Sequence, residues 1–369
     1  MCCAAVAANL PECRIITDLP EYTNSVPLSL EWEGSDAFGE PITGYVLVYR
    51  EDGGEWSVLY EGESTSGSFG SPDITSDHGY DFRCRSKTEQ HPDDGAWSPI
   101  ESTYVDTISP SAAMTSLPEW TNTTNFTVEW TGTDSGSGIE SYSVEYRTEG
   151  NEWDTWLSRT DSVAAVFGPA SPVAVTSGSM YQFRVRARDR AGNAGEYSSE
   201  TGTTIDTDKP VCKIMEMEEY QTDSKTFTVR WEGSDTGSGV DVYKVQYNFS
   251  GQWDCIPGCC NTTSTSKNIS GSEGRTYYFR CQAVDNAGNK GEWSEVRFTT
   301  VDTEPPEIEA VYNSSITYGD NFTIISTISD GVGIAETYLM YENGTIPGSI
   351  ENTSDTLWRA VWILSLIHI

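Results

Sequence analysis

Hydrophobic and polar residues alternate one by one along most of the chain, in short bursts. Leu28, Leu30 and Trp32 fall on one face, and the pattern returns as Phe126, Val128, Trp130 and as Phe227, Val229, Trp231. A second burst holds Tyr45, Leu47 and Tyr49, answered by Tyr142, Val144, Tyr146 and by Tyr243, Val245, Tyr247. A third holds Tyr80, Phe82, Cys84, then Tyr181, Phe183, Val185, then Tyr277, Phe279, Cys281. A period of two with polar residues between predicts half-buried antiparallel strands rather than helices. Stretches rich in Gly, Asp, Asn and Ser supply the turns.

The bursts recur as a unit. WEGSD at Trp32–Asp36 returns as WTGTD at Trp130–Asp134 and WEGSD at Trp231–Asp235, so the Trp spacings are 98 and 101 residues. Each copy later carries an aromatic-Ser step (Trp97-Ser98, Tyr197-Ser198, Trp293-Ser294) and closes on Val/Ile-Asp-Thr ending at Thr107, Thr207 and Thr303. A period near one hundred residues with short strands predicts a two-sheet sandwich per copy. The boundaries read as residues 11–105, 106–206 and 207–302, after a leader or fragment end at 1–10.

This pattern resembles the fibronectin type III family, in three copies over roughly residues 11–302. The strand ending in Trp, the Tyr-x-hydrophobic-x-Tyr strand and the Tyr-x-Phe-x-Val/Cys strand carry the resemblance. It implies an all-β chain of tandem antiparallel sandwiches in an elongated array, as in bacterial or archaeal surface proteins. It makes Trp32, Trp130 and Trp231 core residues, and Tyr80, Tyr181 and Tyr277 corner tyrosines whose hydroxyls tie the chain to itself. The fourth unit, 303–369, departs from it, with Phe322, Ile324 and Ser326 in the register of the Trp strand and no Trp. It looks like an immunoglobulin-like module cut short, too brief to finish a sandwich. Its last residues, LSLIHI, are apolar, unpatterned and follow no turn, as read-through from a sequencing adaptor would be, and the chain is expected to be an open-ended fragment.

The charge narrows the partners. With 56 acidic and 22 basic residues the chain carries a net −34, which repels phosphate backbones and excludes nucleic acid as a natural partner. No run of 18 apolar residues offers a membrane span.

Nine cysteines are present. Cys13 and Cys84 occupy the positions of Cys212 and Cys281, whereas the middle copy has Ala112 and Val185 there and neither cysteine. Pairs that come and go together predict disulfides Cys13–Cys84 and Cys212–Cys281, with buried thiols at Cys84 and Cys281 as the alternative. Cys255 is expected to bond Cys259 or Cys260, and Cys2 and Cys3 stay unassigned. Asn-x-Ser/Thr acceptors stand at Asn122, Asn125, Asn248, Asn261, Asn268, Asn313, Asn321, Asn343 and Asn352. Cysteine pairs and acceptor sites together favour an extracellular or cell-surface location.

No catalytic set stands out: the three histidines, His78, His91 and His368, share no motif with a nucleophile. Acidic loops are the better signal. Asp36, Asp134, Asp235 and Asp330 follow the Trp-strand position, DRAGN and DNAGN place Asp189 and Asp285 after the Tyr-x-Phe strand, and the linkers carry Asp106, Asp206 with Asp208, and Asp302. The resemblance implies that these loops share one pole of each sandwich, facing the incoming linker. Asp134, Asp189, Asp206, Asp208, Asp235 and Asp285 are therefore candidate Ca²⁺ ligands at the joints. The alternative is plain turn chemistry in solvated loops. Trp56, Trp153, Trp156 and Trp253 offer aromatic surface for a sugar ring, or cover for a sandwich edge. The expected function is a non-catalytic spacer and adhesion region contacting surface proteins or glycans. The alternative is an accessory region of a larger extracellular hydrolase.

Overall fold

The computed structural model describes residues 10–93, 95–312, 321–330, 338–341, 344–347, 349–354 and 357–365. Cys2, Cys3, Asn313, Asn343 and His368 lie outside the described residues, as does all but Leu10 of the segment 1–10. Among the described residues every regular element is a strand, and no helix is long and apolar enough to cross a membrane. The chain divides into two compact units, Met1–Ile205 and Asp206–Ile369.

The first unit holds two sandwiches of the same order. In the first, Glu12–Ile15, Leu28–Ser35 and Ser66–Phe69 form a three-stranded sheet. The facing five-stranded sheet runs Tyr22–Thr23, Glu101–Val105, His78–Lys87, Gly44–Glu51, Ser57–Gly62. The second repeats this with Ser111–Met114, Phe126–Thr133 and Ala164–Phe167 against the five-stranded sheet Trp120–Thr121, Thr201–Ile205, Met180–Asp189, Ile139–Thr148, Asp154–Thr160. Within the second unit, Val211–Ile214, Thr226–Ser234 and Ser266–Ser270 face Tyr220–Gln221, Arg297–Val301, Thr276–Asp285, Val240–Asn248 and Asp254–Cys255 in the same order. Pairings are antiparallel except for Tyr22–Thr23, Trp120–Thr121 and Tyr220–Gln221, each at one edge of its five-stranded sheet.

One indole fills the space between the sheets in each case. Trp32, Trp130 and Trp231 are at most 1% exposed. The Gly two residues after each Trp has a packing reason: a Cβ there would stand 2.7–2.9 Å from a ring carbon of Tyr45, Tyr142 or Tyr243. The corner tyrosines are buried too, and the hydroxyls of Tyr80, Tyr181 and Tyr277 accept the amides of Thr75, Thr176 and Ser272 at 2.8–3.1 Å.

Strand Gly44–Glu51 breaks the alternation, since Val46 and Val48 are buried as well as Tyr45 and Leu47. The cause lies on the outer face of the sheet. Arg85 and Arg83 are their cross-strand partners, and Arg83 lies over Trp56 (4.1 Å) and Trp97 (4.6 Å). Cross-strand partners share a face, so this stack shields the two valines. Equivalent ladders run Trp153, Arg184, Tyr197, Arg186 and Trp253, Arg280, Trp293. Each such contact contributes about 0.5–1 kcal/mol near the surface. The serine after the ladder aromatic (Ser98, Ser198, Ser294) accepts the backbone amide of Cys84, Val185 or Cys281 and so clips the segment to the sheet.

Cys13 bonds Cys84 and Cys212 bonds Cys281, each joining the first strand of a sandwich to its Tyr-x-Phe strand. Cys255 bonds Cys260, and Cys259 is buried in the core as a free thiol, its pKa raised by burial. The second sandwich packs Ala112 and Val185 at the positions of the first and third pairs.

Beyond Thr303 the described residues again form strands. Glu307–Tyr312, Asn321–Ser329, Leu357–Ser365 and Ser349–Ser354 form a four-stranded sheet, and Tyr338–Tyr341 pairs with Gly344–Pro347. Asn321 and Asn352 lie in these strands. Leu364 and Ser365, the start of the unpatterned tail, pair with Phe322 and Asn321. An apolar run without alternation is a poor signal in sequence, yet cross-strand pairing accommodates it.

Each long-range disulfide closes a loop of about seventy residues, worth about 4 kcal/mol in the chain-entropy model. Mild reduction should therefore accelerate hydrogen exchange in His78–Lys87 and Thr276–Asp285 while leaving Met180–Asp189 unchanged. Equal acceleration in all three strands would refute a local role for the bonds.

Candidate functional site

The acidic loop of the second sandwich builds itself from its own backbone. After Thr133 the chain leaves the strand, and Asp134 Oδ2 accepts the amides of Gly136 (3.1 Å) and Gly138 (2.7 Å). Gly138 sits at φ +81°, where a side chain would be strained. Gly136 lies flat against a second carboxylate: a Cβ there would stand 2.5 Å from the carboxyl carbon of Asp106. Asp106 follows the last strand of the first sandwich, and its Oδ2 accepts the amide (2.7 Å) and hydroxyl (2.6 Å) of Ser137. Its Oδ1 accepts the amide of Ile108. Burial alone would raise the Asp106 pKa, but these hydrogen bonds outweigh it and hold the carboxyl below its ordinary range.

The third carboxylate comes from the opposite sheet. Asp189 ends its strand and accepts Asn193 through both oxygens, at the backbone amide and the side-chain amide, each 2.7 Å. The same Asn193 side chain donates to the Asp106 carbonyl at 2.8 Å. Asp106, Asp134 and Asp189 thus each bring a carboxylate oxygen within 4.8 Å of the other two.

The second unit contains the same construction. Asp235 Oδ2 accepts Gly237 and Gly239, Asp206 Oδ2 accepts the Ser238 amide, and Asn289 spans Asp285 and the Asp206 carbonyl. Asp206, Asp235 and Asp285 also lie within 4.8 Å of one another. Asp106, Asp189 and Asp206 are 0% exposed and Asp285 1%. Asp134 and Asp235 are partly exposed as residues, yet each hides its Oδ1 from solvent with no hydrogen-bond partner.

Two expectations change here. Asp208 is exposed and stands outside the cluster; it donates its backbone amide to Asp206 Oδ1. Asp106, a linker acid in sequence, is a full member. Trp56, Trp153 and Trp253 are not free platforms for sugars, because guanidinium groups lie on their rings, and Trp156 packs against Trp130 and Phe167. Asn122, Asn125, Asn261 and Asn268 are exposed, and Asn248 is partly so.

A third group is of another kind. His78 Nδ1 lies 2.7 Å from Asp52 and 3.0 Å from Glu51, in an open setting. The Asp52 hydrogen bond is the main cause of a raised His78 pKa.

Gly136→Ala and Gly237→Ala should each destabilise their sandwich by about 1–3 kcal/mol, since the new methyl meets a fixed carboxylate; chemical denaturation measures it. His78 contributes stability that is complete below its unfolded pKa of about 6.5 and is lost as pH rises through the higher folded value. Protection of His78–Lys87 against hydrogen exchange should fall slightly from pH 6 to 8, by a few tenths of a kcal/mol for so exposed a pair. His78→Gln should abolish that slope.

Residues 215–300 match the sequence model of the fibronectin type III domain. The chain is 29% identical over 262 residues to endoglucanase B of Cellulomonas fimi, covering 67% of this chain and 24% of that protein. It is 25% identical over 309 residues to the cell adhesion molecule DSCAM of Rattus norvegicus, covering 78% of this chain and 14% of that protein. It therefore spans a quarter or less of the length of either relative. Among solved structures, the chicken CNTN1 FN1-FN3 domains align at 16% identity over 79% of this chain and 99% of that one, with a TM-score of 0.31. Over residues 215 to 300, then, the chain is similar to a fibronectin type III domain.

Proposed function

We propose that this chain is a non-catalytic extracellular spacer and adhesion region of a cell-surface or secreted protein, built from three fibronectin type III-like sandwiches and a fourth β module. The observation that carries the reading is the threefold recurrence of one sheet order and one aromatic core, with the domain match in the third copy. Fibronectin type III domains are generally non-catalytic. Disulfides across the first and third sandwiches suit an oxidising compartment. A relative named as a cell adhesion molecule aligns over most of the chain. Contacts would use loops and exposed sheet edges, where backbone groups stay open to a partner strand. With the ladder indoles engaged, protein partners fit better than sugar rings.

The likeness to an endoglucanase favours a second reading, in which the same modules stand beside a hydrolase domain elsewhere in a longer protein. Sequencing the coding region in both directions separates the two. Further sandwiches with a sorting signal or membrane anchor are the expected result. A polysaccharide hydrolase domain in the same reading frame would overturn the adhesion reading in favour of the second.

A further inference from the structure

We propose that each aspartate trio, Asp106–Asp134–Asp189 and Asp206–Asp235–Asp285, is a binding site for one Ca²⁺ ion, which locks the segment entering the sandwich to the two loops at that end. The inference stands apart from the spacer reading and holds whichever protein carries these modules.

Charge is the first argument. Three carboxylates converge in each trio, and two of the three are essentially without solvent. None of the ion pairs among the described residues involves any of the six. Buried charge without a counter-charge costs several kcal/mol per group, and like charges at this range add to it. Basic residues do not resolve the problem. Arg190 near the first trio donates to the Ser137 carbonyl, and its counterpart in the second unit is the neutral Asn286, which donates to the carbonyls of Ser238 and Gly239.

An independent observation points to a ligand. Asp134 Oδ1 and Asp235 Oδ1 are sealed from solvent and accept no hydrogen bond, although both carboxylates are positioned by two backbone amides on their other oxygen. A buried carboxylate oxygen that accepts no hydrogen bond is costly, and here the feature occurs twice, at equivalent positions of two sandwiches. In both, the remaining hydrogen bonds orient the carboxylates rather than neutralise them: Ser137 or Ser238 holds the linker aspartate, and Asn193 or Asn289 holds the strand-end aspartate.

The ion follows from the donors and their spread. All are hard oxygens, with no histidine or thiolate in either trio, which favours Ca²⁺ or Mg²⁺ over transition metals. Ca²⁺ takes six to eight oxygens at about 2.4 Å in flexible geometry, which suits carboxylates and carbonyls brought together from separate segments, whereas Mg²⁺ needs about 2.1 Å and strict octahedral geometry. In the first unit the consequence is mechanical. Asp106 directly follows strand Glu101–Val105 of the first sandwich, so an ion shared with Asp134 and Asp189 fastens that segment to the second sandwich.

The test uses the full chain with Asp134→Asn, Asp235→Asn and the double variant. Asparagine keeps the loop-capping oxygen and removes one negative charge. Calorimetric titration with Ca²⁺ alone should show two sites per chain in the parent, one in each single variant and none in the double variant. Thermal unfolding should cross over: with chelator each variant melts at or above the parent, and with saturating Ca²⁺ the parent rises by several degrees and passes both. A Ca²⁺ isotherm unchanged in the double variant, no saturable heat in the parent, or variants more stable than the parent in Ca²⁺ as well as in chelator would each overturn the proposal. Tighter binding of Mg²⁺ than of Ca²⁺ would overturn the choice of ion.

Discussion

The arrangement depends on an indole locked between two sheets. Trp32, Trp130 and Trp231 each leave Nε1 buried and without a partner, a loss of about 1–3 kcal/mol. The loss recurs in all three sandwiches, so it is a property of the design. The ring's burial offsets it: an indole removes roughly 150–250 Å² from water, and at about 25 cal/mol per Å² that is several kcal/mol. Because the Trp must sit centrally, the strand carrying it has no freedom of register. Trp130 pairs with Met114 and Trp231 with Ile214.

That fixed register positions the chemistry. Four residues beyond the Trp lies Asp134 or Asp235, just past the end of the strand. On the opposite sheet, Tyr181 or Tyr277 anchors a strand whose last residue is Asp189 or Asp285. Both carboxylates are carried at the ends of strands that hold a buried aromatic anchor. The glycines, serines and asparagines between them then satisfy backbone amides and fine-tune direction. A loop alone could not hold three carboxylates so close against their repulsion; rigid strands on either side can.

Much of this was legible in the sequence, for a physical reason. A half-buried strand in a two-sheet sandwich must alternate, so Leu28–Ser35, Phe126–Thr133 and Thr226–Ser234 announced themselves, and repetition removed the ambiguity of any single burst. The cysteines were readable by the same comparison between copies. The aromatic ladder was not, because an arginine stacked on an indole and an arginine in water look alike in one dimension. Membership of the trios was only half readable. Asp206 and Asp208 are indistinguishable as linker acids, and burial separates them: one is 0% exposed and the other faces solvent. The closing strand escaped notice because its apolar run lacks alternation, although backbone pairing does not need any.

The net charge of −34 obscures a division among the carboxylates. Most are hydrated and screened, and at physiological ionic strength they act beyond about 8 Å only weakly. They set solubility and the kind of partner the surface repels. The four buried members of the trios, Asp106, Asp189, Asp206 and Asp285, answer to a different dielectric. Exclusion from water removes both hydration and screening, so their mutual repulsion is worth more than that of any surface group. In both sandwiches the three acids are aimed by hydrogen bonds of their own, so the direction of each carboxylate is set by named donors and not by the turn alone.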